Sequence, residues 1–205
     1  LTDLEFVAKE GDEYNVGLRF LELGRYAQRR RPICQMAREK VEEVAAETSE
    51  RVHFVVEEHG MAVSVFKHDG ENAIHTRANI GFRYPLHAGA NGKCMLAHFP
   101  DERVRQILDT RGLEALTENT ITDEDRLFEQ LEAIRERGYG FNDEEITDGV
   151  RAVGVPILDS NGTAIGALSI SGPTRRLQGE YFREELPSLL LGVAQEIEIN
   201  YKYAE

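Results

Sequence analysis

The side chains with the clearest chemical potential stand in one short stretch, YPLHAGANGKCMLA, at Tyr84–Ala97. His87 and Cys94 could supply a base and a thiol nucleophile, or two ligands of a metal ion. Cys94, however, falls at an apolar helix start, where a small cysteine usually packs into the core. No third ligand has a suitable spacing for a metal. We therefore expect no catalytic residue, no metal and no cofactor here.

The glycines of this stretch have a superficial likeness to a phosphate-binding loop. That motif needs a glycine five positions before Gly92, where the chain has His87, and serine or threonine after Lys93, where it has Cys94. The stretch is therefore not such a loop.

A different kind of site fits the same residues. The pattern predicts a strand that ends near Pro85 and a helix over residues 93–99, with small residues between them at Gly89, Ala90, Asn91 and Gly92. Small residues let a ligand approach the backbone. A helix that begins there would also direct free N–H groups and its positive dipole end at an anion.

Glu144 and Glu145 resemble a pair of catalytic carboxylates. They fall in a segment, residues 139–146, that we predict to be a strand. Adjacent side chains on a strand point to opposite faces, so that Asn142 and Glu144 share one face, and Asp143 and Glu145 the other. The two glutamates then cannot act together on one substrate.

Two serines near the end of the chain are more informative. Ser169 and Ser171 share one face of a predicted strand, and Ala152 and Gly154 would form a shallow floor on the neighbouring strand. The pattern leaves two interpretations open: a pocket for a small polar ligand, or two serines on a solvated face. Small residues, hydroxyls and N–H groups without a nucleophile–base pair are typical of a binding protein rather than an enzyme.

The elements that must position these residues are short strands and separate helices. We predict a hairpin over residues 4–17, helices over 18–30, 33–48, 101–108, 123–137 and 178–201, and strands over 51–56, 61–68, 139–146, 150–158 and 163–171. This order predicts an α+β fold with a mostly antiparallel sheet.

Local signals set several boundaries of these elements. Pro32 breaks the first helix from the second, and Asn161-Gly162 is a strong hairpin-turn signal. Thr122, with Asp125 three residues later, is the predicted N-cap of the helix that Gly138 closes. The turn at Asp69-Gly70 is expected to lead toward Ala73-Ile74.

Length and composition limit the remaining possibilities. The chain has 205 residues, 41% of them hydrophobic, which is enough for one domain with a real core. No apolar run approaches the roughly 20 residues of a membrane span. The start at Leu1 is neither a signal peptide nor an initiator methionine, so we expect a fragment. Cys34 and Cys94 form no disulfide framework, which favours a reducing, cytoplasmic setting.

Charge argues against nucleic-acid binding by this chain alone, because 24 basic and 37 acidic residues give a net charge of −13. Only five of the basic residues are lysines, and an acidic, lysine-poor chain favours a salt-loving source. The arginine run at residues 29–31 could bind phosphate, but a solvated helix end that complements its own dipole is the favoured interpretation. We expect most of the isolated histidines to lie on the surface: His53, His59, His68, His75 and His98.

Taken together, these residues resemble a known family. The stretch at Tyr84–Ala97 is similar to the P-x-H-A-x-x-x-G-K-A-x-L-A signature of IclR-type transcriptional regulators. The segment RGYGFNDEEITDGVRAVGVPILDSNGTAIGALSISGPTRR at Arg137–Arg176 and VGLRFLELG at Val16–Gly24 resemble the family in the same order. Cys94 stands where alanine is usual.

The resemblance implies a domain organisation. Residues 1–17 would be the C-terminal remnant, the wing, of a winged-helix DNA-binding domain, 18–31 a linker helix, and 32–205 an effector-binding domain with a GAF-like or profilin-like antiparallel sheet flanked by helices. The helices that enter the DNA groove would lie upstream of Leu1. The resemblance also implies a homodimer or homotetramer, with contacts through the wing and linker helix, and no membrane association.

The resemblance further implies a pocket for a small organic or aromatic acid. Carried over by motif position, its residues would be Gly89, Ala90, Asn91, Asn142, Ala152, Ser169 and Ser171. Asn142 stands where some relatives have an acid, and Ala152 where some have cysteine, so the ligand's identity stays open. Two other functions remain as alternatives: a small enzyme using His87, Cys94 or the acidic strand, and a sensor that acts through protein partners.

Overall fold

A computed structural model describes residues 1–2, 4–73 and 79–204. The predictions at Ile74 and His75 lie outside these residues. The strands are β1 (Val7–Glu10), β2 (Glu13–Val16), β3 (Arg51–Glu58), β4 (Met61–Asp69), β5 (Arg83–Pro85), β6 (Gly140–Asp143), β7 (Val150–Leu158) and β8 (Ala164–Pro173). The helices are α1 (Arg19–Arg29), α2 (Pro32–Thr48), α3 (Ala90–Ala97), α4 (Asp101–Arg111), α5 (Glu124–Arg137) and α6 (Leu186–Lys202), with a π-helical turn at Tyr181–Glu185 before α6.

Six strands form one antiparallel sheet in the order β5-β4-β3-β8-β7-β6. The predicted α+β class, with an antiparallel sheet flanked by helices, is confirmed. The sheet brings β3 beside β8, although more than a hundred residues separate them along the chain. This long-range pairing joins the two halves of the chain.

The two faces of the sheet pack against different helices. Leu168 and Ile170 of β8 belong to the core formed with α2 and α6. Ala167 belongs to the core on the other face, with α3, α4 and α5. The predicted alternation is therefore confirmed from Ala167 to Ser171, and Ser169 lies on the α3 side of the sheet. It does not extend to Ile165, which packs against the α2–α6 core because the pairing of β7 with β8 shifts register there.

A β-bulge interrupts the alternation in β4. Phe54 pairs with Phe66, but Val55 pairs with Ser64, so that Val65 is the extra residue. The bulge allows Ser64 and Phe66 to face opposite sides of the sheet, whereas an unbroken strand would place both on one side. Ser64 is consequently buried on the α3 side.

Helix α3 begins three residues earlier than predicted, at Ala90 rather than Lys93, and ends at Ala97. Gly92 thus lies inside the helix, close to the preceding loop. A Cβ atom there would lie 2.2 Å from the carbonyl oxygen of Leu86, which no side chain tolerates. The small residue lets the loop and helix pack directly against each other.

Helix α5 also has a different N-cap from the predicted one. Its N-cap is Asp123, whose side chain accepts a hydrogen bond from the Arg126 N–H at 2.9 Å, and not Thr122. Aspartate is a better cap than threonine, and it lies adjacent to the predicted position. Gly138 closes the helix with φ +83°, as predicted.

Strand β6 is shorter than predicted. It ends at Asp143, because Glu144 adopts a left-handed conformation with φ +63°. The prediction that residues 139–146 form one strand, with Glu144 on the face of Asn142, is therefore wrong. Glu144 instead accepts a hydrogen bond from the Gly149 N–H at 2.6 Å, and Glu145 turns into the interior.

The hairpin β1–β2 and helix α1 extend from this domain, and none of the α1 residues is buried. The ring centroids of Phe6 and Phe20 are 5.2 Å apart, which packs the hairpin against α1. Gln28 Nε2 donates a 2.9 Å hydrogen bond to the carbonyl oxygen of Val65, the bulge residue, which joins α1 to β4. Within the described ranges, no helix is long and apolar enough to cross a membrane.

Candidate functional site

A cavity of about 160 Å³ lies between the N-terminus of α3 and the sheet. Its walls are mostly small or polar residues with a few apolar side chains. The lining residues are His53, Ser64, Phe82, Tyr84, Gly89, Ala90, Asn91, Asn142, Ile146, Thr147, Val150, Ala152, Ser169 and Ser171. All seven residues that the sequence predicted for the pocket are among them. The structure therefore brings these residues together, while their role in binding stays a prediction.

Asn91 is the centre of a buried hydrogen-bond network. Its Oδ1 accepts from the Tyr84 hydroxyl at 2.7 Å and from the Gly92 N–H at 2.8 Å. Its Nδ2 donates to Ser169 Oγ at 2.9 Å. Because the Ser169 oxygen accepts this bond, its own O–H remains available as a donor. The network fixes the amide and orients the serine at the cavity.

Backbone donors reach the cavity from the first turn of α3. The N–H groups of Ala90 and Asn91 have no partner inside the helix, because the first four N–H groups of a helix lack one. The positive end of the helix dipole adds to their field. Gly154 of β7 allows this close approach, since a Cβ there would lie 2.8 Å from the Asn91 nitrogen.

Asn142 closes the opposite side of the cavity. Its Oδ1 accepts a 2.7 Å hydrogen bond from the Glu145 N–H, which leaves the amide NH₂ as the group that can donate to a ligand. Ala152 is its cross-strand partner, and Ala152 in turn faces Ser171. The alanine methyl group leaves room between these polar groups.

His53 is an exception to the expectation that most of the isolated histidines lie on the surface. It is 9% exposed and lines the cavity, directly opposite Ser169 in the pairing of β3 with β8. Its Nδ1 lies 3.3 Å from Ser64 Oγ. Burial lowers the pKa of His53 to about 4, helped by the positive charges of Arg51 and Lys67. The imidazole is consequently neutral at physiological pH.

A buried ion pair lies beside the cavity and holds part of its wall in place. Lys93 of α3 and Glu145 meet at 2.5 Å. Burial lowers the pKa of Lys93 and raises that of Glu145, and the attraction between them opposes both shifts. Thr120 Oγ1 also donates to the Glu145 carbonyl oxygen at 2.7 Å. The ion pair holds the segment after β6, which carries two cavity residues, against α3, and Thr120 holds it against the loop before α5.

The residues first considered for catalysis have structural partners instead. The Cys94 thiol donates to the Gly154 carbonyl at 3.1 Å, and burial raises its pKa to about 12, so the thiol stays protonated. His87 Nε2 lies 3.0 Å from the Glu114 carbonyl oxygen, and burial lowers the pKa of its imidazole. Among the described residues, no group of three or more His, Cys, Asp or Glu side chains could hold a metal.

Half of the lining residues that the structure describes were not predicted from the sequence. The missed residues are His53, Ser64, Phe82, Tyr84, Ile146, Thr147 and Val150. Tyr84 belongs to the stretch already considered, and its place beside the small residues was a usable signal. No local pattern indicated His53 or Ser64, because the first depends on a long-range strand pairing and the second on a bulge.

Comparison with known proteins identifies the class of molecule. The crystal structure of the Thermotoga maritima IclR superposes with a TM-score of 0.87 at 33% identity, over 99% of this chain and 82% of that one. The inducer-binding domain of the PobR transcription factor from Acinetobacter, a double mutant in complex with 3-hydroxybenzoic acid, superposes with a TM-score of 0.73 at 31% identity, over 80% and 96%. The chain is therefore similar to transcription regulators.

The sequence comparisons define the family. Residues 26–199 match the family described as "Bacterial transcriptional regulator IclR C-terminal". A probable HTH-type transcriptional regulator ArcR from Halobacterium salinarum is 30% identical over 100% of this chain and 79% of its own length. The chain belongs to the IclR family of transcriptional regulators, which bind DNA and small-molecule effectors. The halophilic source of this relative agrees with the expectation from the acidic composition.

Proposed function

We propose that the cavity beneath α3 is the effector site and that it binds a small organic acid through its carboxylate. The observation that carries this proposal is the set of donors around the cavity: the first-turn N–H groups of α3, the Ser169 hydroxyl held by Asn91, and the amide of Asn142. Converging N–H and O–H donors, with no carboxylate among the described lining residues, favour an anion.

The size of the cavity sets the size of the ligand. An apolar cavity of about 150 Å³ is known to hold one benzene molecule. A volume of about 160 Å³ therefore fits a single-ring aromatic acid or an aliphatic acid of a few carbons. Phe82, Ile146 and Val150 supply the apolar wall that the ring or hydrocarbon chain of such an acid requires. The 3-hydroxybenzoic acid held by the PobR domain is of this size and charge.

We further propose that residues 1–17 act as the wing of a winged helix, 18–31 as the linker, and 32–205 as the effector domain. Exposed apolar side chains cluster on the hairpin and α1, including Tyr14, Val16, Leu21 and Tyr26. A second copy of the chain would cover them, which supports a homodimer or a homotetramer. Because the protein acts on DNA, we assign it to the cytoplasm.

Regulation follows from a shift between two arrangements of the domains. An effector that binds one arrangement more tightly moves the population toward it, and the paired winged helices then bind DNA differently. The acidic effector domain does not contact DNA in this scheme. It changes DNA affinity through the linker.

A ligand screen tests the effector site. The protein is melted with a panel of small carboxylates and single-ring aromatic acids, each compared with its uncharged amide. A ligand at 100 times its dissociation constant should add about 2.7 kcal/mol of stability. The gain should disappear in Ser169→Ala/Ser171→Ala and persist in Ser160→Ala, a control in the exposed β7–β8 turn. Stabilisation by amides as strong as by acids, or equal gains in both variants, would overturn the proposal.

A further inference from the structure

We propose that His53, held in place by Ser64, recognises a second polar group of the effector, a hydroxyl, and so makes the pocket selective for hydroxy acids over the corresponding simple acids. This inference rests on the proposed carboxylate site and extends it to the chemical class of the ligand. It assigns a binding role to His53 on strand β3 and a positioning role to Ser64 on strand β4.

The position of His53 relative to the carboxylate donors sets the geometry. His53 and Ser169 are direct cross-strand partners on the same face of the sheet. Cβ atoms of such partners lie about 5 Å apart. A ligand whose carboxylate meets Ser169 and the first turn of α3 therefore has His53 within reach of its next few atoms. Ser64 contacts His53 from β4, the strand on the other side of β3 from Ser169.

The hydrogen-bond pattern leaves one imidazole nitrogen for the ligand. Ser64 Oγ lies 3.3 Å from Nδ1 of His53. The backbone N–H of Ser64 donates to Phe82, and its C=O accepts from Gly81. Because His53 lines the cavity and Ser64 engages its Nδ1, Nε2 is the nitrogen left for a bound molecule. Ser64 is thus a positioning residue that fixes the ring.

The neutral state of the ring determines what it can recognise. A neutral imidazole has one donor and one acceptor nitrogen, and a hydroxyl can match Nε2 in either tautomer because it both donates and accepts. A ligand with only a hydrocarbon group there would bury Nε2 without a partner. Leaving a buried polar group unpaired costs more than an ordinary hydrogen bond contributes. The pocket therefore discriminates against the acid that lacks the hydroxyl.

Matched ligand pairs test this inference without first identifying the natural effector. The probes are 3-hydroxybenzoate with benzoate, and 3-hydroxybutyrate with butyrate, each titrated calorimetrically into the whole chain. Within at least one pair, we expect the hydroxy acid to bind roughly tenfold tighter to the unchanged protein. In His53→Phe that ratio should fall to about one, and His53→Gln, which keeps a polar group, should restore part of it.

Two controls separate recognition from folding. His68→Gln changes an exposed histidine on β4 and should leave the ratio at its original value. Ser64→Ala should reduce the ratio without removing it, because the ring loses its support but keeps its nitrogen. Each variant is first melted, and the ligand ratio in the unchanged protein stands even where a variant does not fold.

The outcomes distinguish this inference from the proposed function. Equal affinities within both pairs, or a ratio that survives in His53→Phe, would overturn the role of His53 while leaving the carboxylate site in place. Failure of all four acids to bind would overturn the selectivity. The wider acid and amide panel then decides separately whether the carboxylate site exists.

Discussion

Lys93 and Glu145 form an ion pair of 2.5 Å inside the protein, with side chains 0% and 8% exposed. The pair connects the first turns of α3 to the segment that carries Ile146 and Thr147 into the cavity wall. Glu145 Oε2 has no hydrogen-bond partner among the described residues. The carboxylate is therefore held mainly by the lysine.

Glu145→Gln should destabilise the protein strongly. The change leaves the buried Lys93 ammonium without a compensating charge, which typically costs about 3–5 kcal/mol. Urea unfolding measures the loss. Glu42→Gln, which breaks an exposed ion pair with Arg38, is the matched control and should cost at most about 1 kcal/mol.

A double change separates charge from packing at the same position. In Lys93→Met/Glu145→Leu no buried charge remains, so this variant should be more stable than Glu145→Gln. If the double variant is the less stable of the two, shape rather than charge compensation dominates, and our account of the pair is wrong.

Gly154→Ala should damage both stability and ligand binding. The new methyl group would meet the Asn91 nitrogen at 2.8 Å and push the N-terminus of α3 away from the sheet. Overpacking of this kind costs about 1–3 kcal/mol. Gly192→Ala in α6 is the control, because its Cβ would have open space, and alanine in a helix interior should add about 1 kcal/mol. Similar effects of both changes would contradict this explanation.

His53 should make stability depend on pH between about 4 and 6.5. Its pKa is lowered from 6.5 to about 4 in the folded protein by burial and by Arg51 and Lys67, with Asp69 opposing. In this window the unfolded chain binds the proton and the folded protein does not, so stability falls as the pH decreases. The contribution is about 3 kcal/mol across the window.

Chemical unfolding at several pH values measures this dependence. His53→Gln should flatten the stability curve between pH 6.5 and 4, while the exposed His68→Gln should not. His87 also has a lowered pKa and acts in the same direction, so part of the dependence remains in the variant. A curve unchanged by His53→Gln would exclude a neutral, buried imidazole.

Salt should stabilise the protein. A net charge of −13 on 205 residues causes repulsion in the folded state that added ions screen. We expect the melting temperature to rise steadily with KCl concentration. Sucrose at matched water activity serves as the control for solute exclusion. An unchanged melting temperature would show that repulsion between the acidic residues does not limit the stability of the folded protein.

Much of the fold and half of the cavity wall could be predicted because their signals are local. The alternation along β8 assigned Ser169 and Ser171 to one face, and the small residues before α3 indicated close backbone approach. The same alternation placed Ala152 on the neighbouring strand beside them. The resemblance to the family added Asn142, which no local pattern singled out as a ligand contact.

The missed residues depend on events that are not local. His53 faces the cavity because β3 pairs with β8, a contact between distant parts of the chain. Glu145 turns inward because Glu144 leaves the strand conformation with φ +63°, which few non-glycine residues adopt. The rule that side chains alternate between the two faces of a strand fails at such a residue. It fails again at the bulge that turns Ser64 toward the cavity.

That bulge has a mechanical consequence. Ser64 turns its side chain toward the imidazole in the cavity, and the carbonyl oxygen of the next residue, Val65, accepts a hydrogen bond from Gln28 of α1. One peptide unit, about 3.8 Å of backbone, therefore separates the wall that would sense the effector from the fastening of α1. A displacement of β4 at this bulge would therefore change the cavity wall and the attachment of α1 together.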